Sequence, residues 1–161
     1  MLFRSGTVML FDNVGNVLWR ATVVNTWNGQ TLYSALNPAI ADMDGDGYAE
    51  IIAGSNILSY DGTLLGHGEY GVGSCPNEGY GLLEGSISVP VDLNGDGELE
   101  VVVGNAAYEM DGTALYTNGL DDGNVAIADF DLDGEPEIVV ASGNDIYTLE
   151  SDMTPTGWSD E

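Results

Sequence analysis

A nine-residue motif occurs three times in this chain, and it constrains the fold more than any other feature of the sequence. The copies are DMDGDGYAE at residues 42–50, DLNGDGELE at 92–100 and DFDLDGEPE at 129–137. Each reads D-x-[D/N]-x-D-G-x-x-E and leads directly into an apolar stretch, at 51–54, 101–104 and 138–141. Short oxygen-bearing side chains at alternate positions of a tight turn converge on one point, which suits a hard cation with about six to eight oxygen ligands. The motif therefore predicts calcium-binding loops that precede β-strands.

The repeated positions assign the ligands in each loop. We expect positions one, three, five and nine to bind through side chains and position seven through its main-chain carbonyl, with glycine at position six in the bend. About three Ca²⁺ are expected, and Mg²⁺ is disfavoured because it demands stricter octahedral geometry and retains its waters. The predicted ligands are Asp42, Asp44, Asp46, Tyr48 and Glu50; Asp92, Asn94, Asp96, Glu98 and Glu100; and Asp129, Asp131, Asp133, Glu135 and Glu137.

The motif has two alternative interpretations, an EF-hand loop and a metal-free acidic turn. An EF-hand loop also begins D-x-D-x-D-G, but it needs a bidentate Glu at position twelve and flanking helices. Position twelve is here Ala53, Val103 or Val140, inside apolar runs. Metal-free acidic turns are the second alternative, and they would bring together carboxylates that repel one another by about 1 kcal/mol or more per close pair. Calcium loops between strands remain the favoured prediction.

The charge of the chain narrows the range of partners. There are 27 acidic residues and two basic ones, for a formal net charge of −25. Thirteen acids lie in the three motifs, and three calcium ions would bring the charge from −25 to −19. The remaining charge repels nucleic acids and anionic membranes, so neither is expected as a partner. It is consistent with a solvated acidic surface or with recruitment of a cationic partner.

The motif belongs to a longer repeat of four short strands. A strand-like segment precedes each loop, at 38–41, 87–91 and 125–128, and a second strand follows it. Third strands are predicted at 56–60, 106–110 and 145–149, and fourth strands at 63–65, 113–116 and 154–158. Asp61-Gly62 and Asp111-Gly112 suit two-residue hairpin turns between these last two strands. Four antiparallel strands in a repeat of this length predict an all-β protein built of β-propeller blades.

The predicted units divide the chain into about three blades and a half blade. Residues 1–36 would hold strands three and four of a preceding blade, at 7–22, and a linker. Full blades are expected at 37–85, 86–123 and 124–161, the first with a Gly-rich insertion at 66–85. These are too few blades for a usual ring. Either the segment belongs to a longer polypeptide, or copies associate to complete the propeller.

These motifs carry a family resemblance. D-x-[D/N]-x-D-G-x-x-E between a small apolar strand and an Ile/Val strand resembles the FG-GAP/VCBS repeat, over residues 37–65, 86–116 and 124–150 and in part over 7–22. That family includes the blades of integrin α-subunit propellers and many secreted bacterial proteins. The resemblance implies a β-propeller with calcium in the hairpin between the first two strands of each blade. The chain departs from the integrin-type loop in having Glu instead of Asp at position nine, which implies a looser geometry. The Phe-Gly and Gly-Ala-Pro signatures are also absent, which makes the bacterial-type repeat the closer match.

The expected function follows from the metal and the fold. Loops of millimolar-range affinity fill outside cells and stay empty in the cytosol, so we expect an extracellular or cell-surface protein. We predict a module for adhesion, ligand binding or surface assembly, with a protein or glycan ligand or self-association as its partner. The alternative is a structural subunit of a filament or surface layer. No apolar run reaches transmembrane length, and membrane insertion is not expected.

Catalysis is not expected. Some stretches, at residues 40–47 and 61–68, look similar to calcium-loaded polysaccharide lyases, which makes the propeller portion of such a lyase a further alternative. That chemistry needs a general base and cationic groups, for which the chain offers only His67, Arg4 and Arg20.

A few other residues are singled out. Cys75 has no second cysteine to pair with inside the chain, so it is either an idle thiol or the site of an intermolecular disulfide. Trp19 is expected in the core, whereas Trp27, in a polar turn, is the better candidate for stacking on a sugar; Tyr33 and Trp158 are further candidates.

Overall fold

The computed structural model describes residues 6–23, 26–27, 30–31, 37–74 and 86–159, and these residues form an all-β structure. They contain sixteen strands and no helix. Arg4, Tyr33 and Cys75 lie outside the described residues, and the side chains of Trp27 and Trp158 lie outside them as well. The predicted all-β class is confirmed.

Two small hairpins come first. β1 (Thr7–Phe11) pairs with β2 (Val17–Thr22), and β3 (Thr26–Trp27) pairs with β4 (Gln30–Thr31). The first hairpin covers the segment in which two strands of a preceding unit were predicted. Trp27 was placed in a turn by the sequence, and this is wrong: it ends the short strand β3 and pairs with Gln30 of β4.

Three antiparallel sheets of four strands follow, and in each sheet every strand pairs with the next one along the chain. The predicted four-strand repeat is therefore present three times. The first sheet consists of β5 (Pro38–Ala41), β6 (Glu50–Ala53), β7 (Asn56–Leu58) and β8 (Leu64–His67); the second of β9 (Val89–Val91), β10 (Glu100–Val102), β11 (Ala106–Tyr108) and β12 (Ala114–Thr117); and the third of β13 (Asn124–Ala128), β14 (Glu137–Ser142), β15 (Asp145–Leu149) and β16 (Pro155–Ser159).

The core lies between consecutive sheets. Successive side chains of a strand point to opposite faces of its sheet. In the second sheet, Val101 and Val103 pack with Ile52 of the first sheet, whereas Val102 packs with Ile138 of the third. A smaller cluster joins the hairpin β1–β2 to the first sheet. The second strands read as continuous apolar runs because both of their faces are covered.

The turn after the third strand differs from the prediction. A two-residue turn was expected at Asp61-Gly62, but the amide of Ser59 donates to the carbonyl of Thr63 at 2.8 Å, and that of Gly62 to the carbonyl of Ser59 at 3.0 Å. The loop therefore has three residues, with Gly62 at φ 88° and a bulge in the strand pairing. The second sheet has the same turn, around Gly112. Asp-Gly suits both turn types, so the dipeptide could not distinguish them.

The third sheet uses a different residue in this turn. Met153 takes the place of the glycine, and its φ is 63°, in the left-handed region. Its amide donates to the carbonyl of Glu150, as in the other two turns. The Met153 side chain is 1% exposed and packs in the cluster between the second and third sheets.

Candidate metal centre

The three acidic loops occupy equivalent places in the fold. Each connects the first strand of a four-stranded sheet to the second, as predicted. The carboxylate at position one accepts a hydrogen bond from the amide of the glycine at position six, as from Gly47 to Asp42 at 3.0 Å and from Gly134 to Asp129 at 3.1 Å. The second loop has the same bond, from Gly97. The three loops thus share one backbone conformation.

At positions three and five, the side chain accepts a hydrogen bond from a backbone amide in all three loops. The oxygen of residue 44, 94 or 131 accepts a hydrogen bond from the amide two residues later, at 2.8–3.1 Å. The oxygen of Asp46, Asp96 or Asp133 does the same at 2.7–2.9 Å. Each side chain uses one oxygen to hold the turn, so the loop conformation orients the acidic groups before any ligand binds.

The glutamate at position nine is the buried member of each loop. Glu50, Glu100 and Glu137 are 4%, 0% and 6% exposed. Each accepts a hydrogen bond from the amide at position two, at 2.9, 2.7 and 2.6 Å respectively. Burial raises the pKa of Glu100, the bond from Leu93 opposes that shift, and the nearby Glu109, Asp96 and Asp92 reinforce it. A buried carboxylate next to other acids is costly without a counter-charge.

Two of the loops bring enough oxygen atoms together to hold an ion. In the third loop, carboxylate oxygens of all four predicted acidic side-chain ligands lie within 4.8 Å of one another. In the first loop the same holds for Asp42, Asp44 and Glu50, but not for Asp46. An all-oxygen set with mostly charged donors fits a hard divalent cation such as Ca²⁺. The roles of the main-chain carbonyls of Tyr48, Glu98 and Glu135 remain predictions.

The second loop differs at position three. Asn94 donates from its amide nitrogen to Asp96 at 2.9 Å and to Glu100 at 3.4 Å. Its amide group therefore donates hydrogen bonds to two acids of the loop, whereas an ionised Asp at this position in the other loops can only accept them. For oxygen atoms of Asn94, Asp96 and Glu100 to bind one cation, the Asn94 side chain would have to turn its nitrogen away from the two carboxylates.

Two acidic residues beside the loops were not predicted. Glu109 and Glu150 open the turn after the third strand in the second and third sheets. The pKa of each is raised, first by desolvation and then by nearby acids, which for Glu109 include Asp96 and for Glu150 include Glu137. The first sheet has Ser59 at this place. This proximity follows from the register of the second and third strands, in which Val101 pairs with Tyr108 and Ile138 with Leu149, and the motif alone does not specify that register.

Adjacent loops are also in contact. The amide of Leu99, at position eight of the second loop, donates to the carbonyl of Met43, at position two of the first, at 2.9 Å. The amide of Met43 is the one that bonds to Glu50. Position eight of the third loop is Pro136, which has no amide hydrogen to donate.

The residues considered for catalysis lie in ordinary strands. His67 ends β8, where Ser55 lies 3.4 Å from its Nδ1 atom, and burial lowers its pKa. Arg20 lies in β2. The part of the chain that the structure describes contains no helix long and apolar enough to cross a membrane.

Comparison with solved structures identifies a neighbour of this fold. No family model and no curated protein matches the chain. Among solved structures, the V. cholerae biofilm matrix protein Bap1 is similar, with a TM-score of 0.73 and 25% sequence identity. The similarity covers 97% of this chain but 24% of that protein, so the chain spans about a quarter of its length. The chain is thus similar in fold, over nearly its whole length, to part of a biofilm matrix protein.

Proposed function

We propose that this chain is a calcium-stabilised β-propeller module that acts outside the cell in adhesion, ligand binding or surface assembly. The observation that supports it most is the threefold acidic loop with a buried glutamate at the same place in each sheet. Face-to-face packing of successive four-stranded sheets is how blades pack in a propeller. The similarity to a biofilm matrix protein supports a role in an extracellular assembly.

Calcium has a structural role in this proposal. The ion neutralises clustered carboxylates and fixes the connection between the first two strands of each sheet. A ligand that binds only the folded state stabilises it by about 2.7 kcal/mol per site at a hundredfold excess over Kd. Several such sites would make folding depend on calcium at extracellular concentrations.

The test is thermal unfolding with and without metal. We expect EGTA to lower the melting temperature sharply and added calcium to restore it, while Mg²⁺ at the same concentration restores little. Calorimetric titration should give about three calcium ions per chain. Equal melting curves with calcium and with chelator would contradict the structural role.

A structural subunit of a filament or surface layer is the second candidate. The hairpin β1–β2 exposes Met9, Phe11 and Leu18, and the third sheet exposes Ile146. Apolar side chains exposed on sheet faces favour self-association. Large species in light scattering at rising protein concentration would support this candidate, and a constant monomer mass would contradict it.

The proposal assigns no catalytic role to the chain. Incubation with uronic acid polymers should release no unsaturated sugars, and their release would contradict this assignment.

A further inference from the structure

A cleft lies between the first and second sheets, and none of its lining residues is a calcium ligand proposed above. Its volume is about 280 Å³, and its walls include His67, Glu69, Tyr70, Asp111 and Thr113. His67 ends the last strand of the first sheet, and Asp111 belongs to the turn before the last strand of the second. The volume is close to the lower end for small-molecule sites, about 300 Å³.

Glycines bring the two walls close together. A Cβ atom at Gly66 would lie 2.4 Å from backbone atoms of Asp111 and Gly112, and one at Gly68 would lie 2.3 Å from the ring of Tyr108. The equivalent of Gly66 in the preceding hairpin is Trp19, whose indole ring covers the next turn and donates to the carbonyl of Tyr60 at 2.9 Å. The cleft is therefore a local feature of this pair of sheets, not a general consequence of the repeat.

The aromatic wall of the cleft is held in place. Tyr70 is 56% exposed, yet its amide donates to the hydroxyl of Tyr108 at 2.9 Å and its carbonyl accepts from the side chain of Asn105 at 3.1 Å. Tyr108 is fully buried and also accepts from the amide of Gly71 at 2.7 Å. The second sheet thus fixes the backbone from which the exposed Tyr70 ring projects, which reduces the ordering cost of binding a ligand there.

The segment beyond Tyr70 is fixed by a buried carboxylate. Asp122 is 1% exposed. It accepts hydrogen bonds from the amides of Val72 and Ser74 at 2.8 and 3.2 Å, and from those of Gly104 and Gly123 at 3.0 and 2.9 Å. The chain that leads away from the cleft is therefore attached to the second and third sheets.

The cleft is negatively charged. Glu69 and Asp111 are exposed carboxylates on opposite walls, and the described part of the cleft contains no Lys or Arg. Hydrogen bonds from the backbone and side chain of Thr113 lower the pKa of Asp111, which keeps it ionised. Burial lowers the pKa of the His67 imidazole, and the nearby Glu69 opposes that shift.

We propose that this cleft binds a protonated amino sugar. The exposed face of Tyr70 suits the apolar face of a sugar ring and a nearby ammonium group. Glu69 and Asp111 supply the opposite charge, and Thr113 and His67 can hydrogen-bond to ring hydroxyls. The proposal names a ligand class for the ligand-binding role proposed above, and to that extent rests on it. It involves none of the metal ligands.

The test is calorimetric titration of the calcium-loaded protein with a glucosamine oligosaccharide, at a pH at which its amines are protonated. The fully N-acetylated oligosaccharide of the same length and an oligolysine peptide of equal charge are the comparison ligands. We expect Tyr70→Ala and Glu69→Gln each to weaken binding of the amino sugar by about fivefold to tenfold. Asp61→Asn is the matched control, because Asp61 occupies the same turn position in the first sheet, and it should change affinity less than about twofold.

Each result of these titrations either supports the proposed amino-sugar site or overturns it. Preference for the glucosamine oligomer over both comparison ligands, together with the loss in the two variants, supports the proposal. Equal binding of oligolysine, or equal losses in Glu69→Gln and Asp61→Asn, would show general attraction to the acidic surface and overturn it. Unchanged binding in Tyr70→Ala also overturns it. Unfolding curves in calcium and in EGTA test the metal proposal separately, since the cleft variants should leave that difference intact.

Discussion

At the residue scale, the glutamate at position nine of each loop is both a predicted metal ligand and a buried residue of the second strand. Its carboxylate is buried at the start of the second strand and bonds to the amide at position two. It therefore closes the loop even before an ion binds, while adding a charge that the interior tolerates poorly. The motif alone predicted this residue as a ligand, but its burial follows from its place in the sheet.

Replacing Glu137 by Gln should separate these two roles. The amide oxygen of Gln can still accept from Phe130, so the loop should close, while the lost charge weakens calcium binding. We expect the melting temperature in EGTA to change little and the stabilisation by calcium to shrink by about 1–3 kcal/mol. The control is Asp145→Asn, an exposed acid outside the loops. An unchanged calcium response in Glu137→Gln would contradict the assignment.

Met153 is a residue at which two effects oppose each other. Glycine would relieve the positive φ, worth about 1–2 kcal/mol, but would remove a buried side chain, which costs about 2–5 kcal/mol. We therefore expect Met153→Gly to be destabilising by about 1–3 kcal/mol in chemical denaturation. Met153→Leu keeps the buried volume and should lose less. A more stable glycine variant would show that backbone strain outweighs packing here.

The buried hydroxyl of Tyr108 should make the free energy of unfolding fall at high pH. Burial raises the pKa of its hydroxyl to about 12, above the ordinary value of about 10 for an unfolded chain. Its contribution to stability is therefore complete below pH 10 and is lost as the pH rises to about 12, up to about 2–3 kcal/mol. Tyr147, whose pKa is also raised to about 12, should add to the loss. Denaturation midpoints at about pH 9 and 11 check this; Tyr108→Phe should show a smaller decline than the parent protein.

At the scale of elements, the sequence predicted the strands better than it predicted their connections. Alternation of apolar runs with acidic loops placed the three four-stranded sheets, because loop and strand chemistry differ strongly. It could not identify the turn around Gly62, since Asp-Gly suits two turn types, or the positive φ of Met153, which has no residue signature. The contacts of Tyr108 and Asp122 with residues 70–74 join segments far apart in sequence, so only the folded chain brings them together.

The second loop should respond to a single added charge. Asn94 donates to Asp96 and Glu100, and Asp at this position would replace those bonds by repulsion. We expect Asn94→Asp to lower stability in EGTA by about 1–2 kcal/mol and to raise the calcium affinity of the loop. Asn13→Asp, in the turn of the first hairpin, is the matched control and should have a small effect in both conditions. Unchanged stability in EGTA would show that the Asn94 bonds matter little.

For the whole molecule, apolar packing stabilises the folded state and the net negative charge destabilises it. Apolar clusters between consecutive sheets hold the structure together. The net charge of −25 opposes the compact state through self-repulsion. Bound cations would reduce that repulsion at three places, and salt would reduce it everywhere.

Added salt should therefore provide part of the stabilisation expected from calcium, because both reduce the repulsion between carboxylates. In EGTA, an increase in NaCl from about 0.01 to 0.5 M should raise the melting temperature, because the screening length falls well below the spacing of surface charges. The same increase in saturating calcium should have a smaller effect. A salt response of equal size in both conditions would mean that the acidic loops contribute little to the repulsion.

The hydrogen bond between Leu99 and Met43 joins two of the candidate metal loops, and we expect it to couple their occupancy. An ion that draws Glu50 toward itself also moves the peptide of Met43, and that movement reaches the backbone beside Glu100. We therefore expect occupancy of one loop to alter the affinity of its neighbour, and any such effect is reciprocal by thermodynamic necessity. The third loop, with Pro136 at the matching position, has no such link, so a titration should show two interdependent ions and one that binds on its own.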